Sequence, residues 1–145
     1  MRPTILALDL EGTLISNAVS QIPRPGLLQF LQAVHSQFDR LVMFTTVDED
    51  KFRRIATLLV SEGHAPAWFS KTEYTTWSGP TKDLRYVSPV LGDALLLDDH
   101  GPYVHVGQQM WWIEAPLFGS PYEDSDVGLQ VARQRINLKL IELSE

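Results

Sequence analysis

The chain has 145 residues, 44% of them hydrophobic, which suits one domain of residues 1–145 around one core and argues against disorder. Twelve Lys and Arg against eighteen Asp and Glu give a formal charge of −6, so there is no broad basic face of the kind a nucleic-acid binder needs. Cysteine is absent, which excludes disulfides, a thiolate nucleophile and Cys-type zinc sites. No apolar run is long enough to span a bilayer and no signal-like segment precedes the first predicted strand, so the expectation is a cytoplasmic protein without membrane partners.

Ile5 to Leu10 is an apolar run that reads as a buried strand carrying Asp9 to its C-terminal tip. Glu11 lies two residues further on, and Gly12 lets the backbone approach a ligand without a Cβ in the way. A polar connector, Ile15 to Ile22, leads to Pro23-Arg24-Pro25-Gly26, where Pro25 suits the first turn of a helix. Leu27, Phe30, Leu31 and Val34 then recur at helical spacing. Leu41 to Phe44 predicts a second buried strand, ending on Thr45-Thr46. Asp48 caps the next helix, whose inner face is Phe52, Ile55, Ala56 and Leu59, and Gly63 stops it.

Ala65 to Phe69 reads as a short strand and Ser70 to Thr81 as an irregular loop. Trp68, Tyr74 and Trp77 in this stretch are candidates for a substrate-recognition wall. Lys82-Asp83-Leu84 opens a short helix-like piece reaching Val90. Ala94 to Leu97 predicts a third buried strand, ending on Asp98-Asp99-His100. Tyr103 to Val106 and Met110 to Glu114 read as further short strands, with His105 pointing outward. A last helix from about Val127 buries Leu129, Ala132, Ile136, Leu140 and Leu143. Strands alternating with helices predict an α/β three-layer sandwich on a mostly parallel central sheet, covered on both faces.

In a parallel sheet the C-terminal strand ends share one edge, where ligands bind. That edge gathers Asp9 with Glu11, Thr45 with Thr46, and Asp98 with Asp99, and Lys82 precedes the third strand closely enough to join them. Taken singly, the acidic pair reads as a solvated turn, Thr45 as a helix cap and Lys82 as a surface residue. Their convergence points instead to phosphoryl transfer. Mg²⁺ favours oxygen ligands, and carboxylates packed together need a cation or a proton. Asp9 with Asp98 or Asp99, and a backbone carbonyl near Glu11, are the candidate metal ligands. Gly12, Thr45, Thr46 and Lys82 are the candidates for holding phosphate oxygens. Asp9 suits a nucleophile that forms an aspartyl-phosphate, and Glu11 an acid and base serving first the leaving oxygen and then water.

The sequence Asp9-Leu10-Glu11-Gly12-Thr13-Leu14, then Phe44-Thr45, Lys82-Asp83-Leu84 and Leu97-Asp98-Asp99, resembles the haloacid dehalogenase (HAD) superfamily of phosphatases. With Arg24-Pro25-Gly26 added, it most resembles the branch of NLI-interacting-factor-like and RNA polymerase C-terminal-domain phosphatases. The resemblance implies Asp9 as nucleophile, Thr45 and Lys82 on phosphate, and Asp99 as a Mg²⁺ ligand. It also implies Asp98 positioning Lys82 or a water on the metal, and Glu11 lending the metal its backbone carbonyl. The family usually has Asp where this chain has Glu11, and one more methylene displaces the carboxyl by roughly 1.5 Å. Enolase-phosphatases of the superfamily resemble this chain in carrying Asp-x-Glu. So short a chain has no room for a cap domain, which implies an open site and a phosphoester substrate that can be as bulky as a phosphoprotein. The alternative function is a catalytically silent HAD-like module that recognises a peptide or phosphorylated partner. A phosphoacceptor receiver domain uses similar residues in another order, with the acidic pair first and the lysine last.

Overall fold

The computed structural model describes residues 2–144. Five strands form one sheet in the order β3-β2-β1-β4-β5, with β1 at Ile5–Leu8, β2 at Arg40–Met43, β3 at Glu73–Tyr74, β4 at Ala94–Asp98 and β5 at Trp112–Glu114. All four pairings are parallel. β1 sits in the middle, with Leu8 opposite Met43 on one side and Leu97 on the other. It is buried along its whole length, which is why it reads as a continuous apolar run without alternation.

Helices α1 (Leu27–Gln37), α2 (Glu49–Ser61) and α3 (Gly128–Ser144) pack on one face. Their apolar stripes meet Leu6, Leu8, Leu41, Met43, Leu95 and Leu97 there. The opposite face presents Ile5, Ala7, Val42, Phe44, Ala94 and Leu96, and it is covered by Leu84, Val87 and Trp77, Trp111 and Trp112. This third layer consists of short 3₁₀ turns and aromatic side chains, where the sequence suggested more regular elements.

Several local readings change. Ala67–Lys71 is a 3₁₀ helix, not a strand beginning at Ala65. The edge strand β3 lies inside the stretch read as loop. The helix-like piece after Lys82 is a single 3₁₀ turn, Leu84–Tyr86, capped by the Asp83 side chain. Tyr103 to Val106 is not a strand: Gly101–Tyr103 is a 3₁₀ turn, and Val104 makes one isolated bridge to Lys82. α1 begins at Leu27 on a left-handed Gly26, so Pro25 precedes the helix rather than opening it. α2 behaves as its sequence dictates, with Asp48 accepting from the Lys51 N–H and acidic Glu49 and Asp50 at the positive end of the dipole. No helix among the described residues is long and apolar enough to cross a membrane.

Candidate active site

Asp9 follows β1 by one residue and stays in the ladder, its N–H donating to the Leu97 carbonyl at 3.0 Å. Asp98 ends β4 and Asp99 follows it. Because β1 and β4 are neighbours in register, the three carboxylates emerge side by side, and one oxygen of each lies within 4.8 Å of the others. Lys82 arrives from the third layer and is 1% exposed. Its Nζ donates to Asp9 Oδ1 at 2.9 Å and to Asp98 Oδ2 at 2.6 Å, and lies 5.1 Å from the centre of the Tyr103 ring.

Thr13, not singled out from the sequence, lies at the centre of this group. Its Oγ1 is 2.8 Å from Asp9 Oδ2 and 3.0 Å from Asp99 Oδ1. A hydroxyl has one proton to give, so it cannot fully serve both carboxylates. Gly12, at φ +75°, brings the backbone against the same group: a Cβ there would stand 2.8 Å from Asp99 Oδ2. The Asp98 Oδ1 accepts from the His100 N–H at 2.9 Å, and the Trp112 indole donates to the Asp98 carbonyl at 3.0 Å.

Three carboxylates around one ammonium leave negative charge in excess. Burial pushes the Asp9 carboxyl well above its ordinary value; Lys82 opposes this, and Asp98 and Asp99 reinforce it. Asp98 is likewise raised by burial, against the pull of Lys82. Burial alone would lower Lys82, but Asp9 and Asp98 outweigh it and hold the ammonium above its ordinary value. A hard divalent cation fits this donor set. It accepts carboxylate oxygens, and it would relieve both the charge excess and the shared proton of Thr13.

The remaining candidates fall around this centre. Glu11 lines a hollow of about 180 Å³ together with Asp9, Thr46, Asp98, Asp99, His100 and Tyr103. Its Oε2 accepts from the Ala18 N–H at 2.7 Å, and its carboxylate lies outside the three-aspartate group. Thr46 is exposed and also lines an adjoining groove of about 250 Å³ with Thr45, Tyr74, Thr76, Trp77, Ser78 and Gly79. Thr45 is buried, and its Oγ1 accepts from the Val47 N–H at 3.1 Å. Of the three aromatic candidates, Tyr74 and Trp77 line the groove, and the Trp77 indole donates to the Thr45 carbonyl at 2.8 Å. Trp68 is elsewhere, stacked on His35 in the last turn of α1 at 4.5 Å between ring centres. Tyr103, read as a strand residue, is instead a wall of the hollow, packed against His100 at 4.7 Å. His105 does not point outward: it meets Thr81 Oγ1 at 2.7 Å and Asp83 at 3.6 Å.

An acidic group at the carboxyl ends of adjacent parallel strands, with a lysine brought in from a covering loop, is the architecture of a HAD-type phosphatase. Within that class, the chain belongs to the NLI interacting factor-like phosphatase family, whose model matches residues 4–134. Among solved structures, fission yeast RNA polymerase II CTD phosphatase Fcp1-R271A bound to beryllium fluoride is similar at 16% identity and a TM-score of 0.56. That similarity covers 99% of this chain and 52% of that one, so this chain spans about half the length of its relative. A second crystal structure is similar at 14% identity and a TM-score of 0.55, covering 98% of this chain and 83% of the other. These likenesses bear on the fold. No curated protein matches the chain.

Proposed function

We propose that this phosphatase is a Mg²⁺-dependent phosphomonoester hydrolase that works through an aspartyl-phosphate on Asp9. The observation that carries the reading is Lys82 Nζ held between Asp9 Oδ1 and Asp98 Oδ2, with Asp99 grouped beside them. The Asp9 carboxylate attacks phosphorus, and the bond from phosphorus to the leaving oxygen breaks. Glu11 gives its proton to that oxygen. It then takes a proton from the water that cleaves the aspartyl-phosphate, releasing inorganic phosphate and restoring Asp9.

Lys82 and Thr13 each hold one oxygen of Asp9, which fixes the direction of attack. The Lys82 charge, sustained by its acidic neighbours, offsets the negative charge that builds on the phosphoryl oxygens. Mg²⁺ would be held by Asp9, Asp99 and the backbone carbonyl at Glu11, and would supply charge neutralisation and polarisation of the phosphoryl oxygens. Asp98 is engaged with Lys82, which leaves Asp99 as the better placed of the pair for the metal. Gly12, Thr45 and Thr46 flank the phosphate position. The groove beyond Thr46 carries hydroxyls and an indole but no carboxylate or ammonium, so it suits a neutral leaving group. Among the described residues no element closes over the hollow, so that group can belong to a macromolecule.

Turnover of an aryl phosphate with Mg²⁺ by the wild type, lost in Asp9→Asn, is the expected result. Beryllium fluoride should occupy Asp9 in the wild type alone. Folded, metal-supplied protein that cleaves none of a broad phosphoester panel would overturn the mechanism and favour the silent binding module.

A further inference from the structure

Lys82 has a long stem that must place one ammonium between two carboxylates, so its main chain has to be fixed. The segment that does this is 103–108. The Lys82 N–H donates to the Tyr103 carbonyl at 2.7 Å, and Lys82 bridges Val104 in parallel fashion. On one side of Lys82, Thr81 Oγ1 meets His105 Nδ1 at 2.7 Å. On the other, a single side chain holds two consecutive residues. Gln108 Oε1 accepts from the Leu84 N–H at 2.9 Å, and Gln108 Nε2 donates to Asp83 Oδ1 at 2.8 Å.

This orientation of the amide is forced, because a backbone N–H only donates and an ionised carboxylate only accepts. Gln108 is 3% exposed, unusual for an uncharged polar residue of its length. Its own backbone is pinned by a turn, its N–H donating to His105 and its carbonyl accepting from Trp111, each at 3.0 Å. Its hydrogen bonds go to none of Asp9, Asp98 and Asp99.

We propose that Gln108 is the positioning residue for Lys82, acting through the Asp83 side chain and the Leu84 N–H. Replacing it removes both amide contacts. The 82–84 segment then loosens against 103–108, and the ammonium loses its fixed place between Asp9 and Asp98. The assignment rests on the phosphatase reading only where it concerns rate, since the placement of Lys82 can be observed with no substrate present.

The test follows the ¹H–¹⁵N signal of the Lys82 ammonium by NMR, in parallel with aryl phosphate kinetics. In Gln108→Leu the signal should shift or broaden, and kcat/KM should fall about tenfold at a temperature where the variant is fully folded. Gln108→Glu keeps the acceptor for Leu84 but sets a carboxylate against Asp83, and should alter the same signal. Leu140→Ala, a core change in α3, is the control: at a comparable loss of Tm it should leave the signal and kcat/KM as in the wild type. Combined with Lys82→Met, Gln108→Leu should add no further loss of affinity for inorganic phosphate.

The proposal is overturned by an unchanged Lys82 signal in folded Gln108→Leu, or by a rate loss that the control reproduces. Failure of both Gln108 variants to fold would also overturn it, by making the residue structural. So would a wild type in which Lys82 gives no protected ammonium signal. If the wild type cleaves no phosphoester, the ammonium readout still decides the positioning claim on its own.

Discussion

Two cations are buried to the same degree, Lys82 and Arg24, each 1% exposed, yet their surroundings differ in kind. Arg24 is matched. Its Nε and Nη2 donate to the two oxygens of Asp126 at 2.8 and 3.3 Å, and its Nη1 donates to the Thr13 carbonyl at 3.1 Å. Its guanidinium lies 5.3 Å from the centre of the Phe118 ring and against Gly128, where a Cβ would fall 1.7 Å from Nη2. Lys82 is outnumbered, one ammonium among three carboxylates beside a hollow. A buried charge with equal and opposite company holds a fold together, whereas one left in deficit has room for another ion and a substrate. Thr13 joins the two regions, carbonyl to Arg24 and hydroxyl to Asp9 and Asp99.

The largest test of this contrast is Asp9→Asn. It should lower kcat/KM by about 10³-fold or more while leaving Tm equal to or above that of the wild type, because it removes a carboxylate that burial disfavours. A marked fall in Tm would break the distinction. Arg24→Met should do the reverse. Loss of a buried ion pair and of the Thr13 contact predicts about 3 kcal/mol less stability in urea, with kcat/KM of the folded fraction changed by at most about tenfold. A smaller effect is expected of Gly12→Ala, which forces a Cβ into the left-handed region and toward Asp99. It should cost about 1–2 kcal/mol and weaken the rise in Tm that Mg²⁺ is expected to give the wild type.

The smallest effect is in pH, and its sign differs between the two regions. Burial opposes ionisation of Asp126, but Arg24 and the Gly128 N–H prevail and hold it below its ordinary value. Its contribution to stability is therefore present above the unfolded carboxylate range and disappears as pH falls through the lower folded value. Asp9 is raised, so its cost is absent at low pH and grows as pH rises through the folded value. In metal-free protein, Asp9→Asn should stabilise more at pH 7 than at pH 4, and Arg24→Met should flatten the acid limb. Matching pH profiles in the two variants would erase the contrast.

The parts of this molecule that could be read beforehand are those whose residues carry a period or an abrupt polar ending. β1, β2 and β4 are continuous apolar runs closed by Asp9, Thr45 and Asp98, α1 and α2 show clean stripes, and α3 keeps an inner row of Leu129, Ala132, Ile136 and Leu140 beside exposed Leu138 and Ile141. The third layer carried no such signal. Short 3₁₀ turns have no amphipathic repeat, so Tyr103 to Val106 in that layer, and Ala65 to Phe69 on the helix-covered face, read as strands from their apolar content alone. Trp68 was placed near the site by its position in the sequence, while its ring was free to stack on α1. Tyr103 and Gln108 owe their roles to long-range pairing with Lys82 and its neighbours, and nothing in their local sequence announces it. Thr13 was visible within the Asp-x-Glu-Gly-Thr stretch, four residues from Asp9, and was the one omission that the sequence could have prevented.

The middle position of β1 also has a consequence for biosynthesis. The earliest strand in the chain is flanked on one side by residues 40–43 and on the other by residues 94–98. On a ribosome, Ile5–Leu8 waits with an open edge through about fifty further residues after its first neighbour has emerged. For much of that interval Asp9 also lacks its ammonium, which arrives only with residue 82. A nascent chain in that window is a half-made sheet with an apolar rim, the kind of species that chaperones capture. The three carboxylates therefore meet around Lys82 only when β4 docks, and the 103–108 segment that fixes Lys82 follows after them.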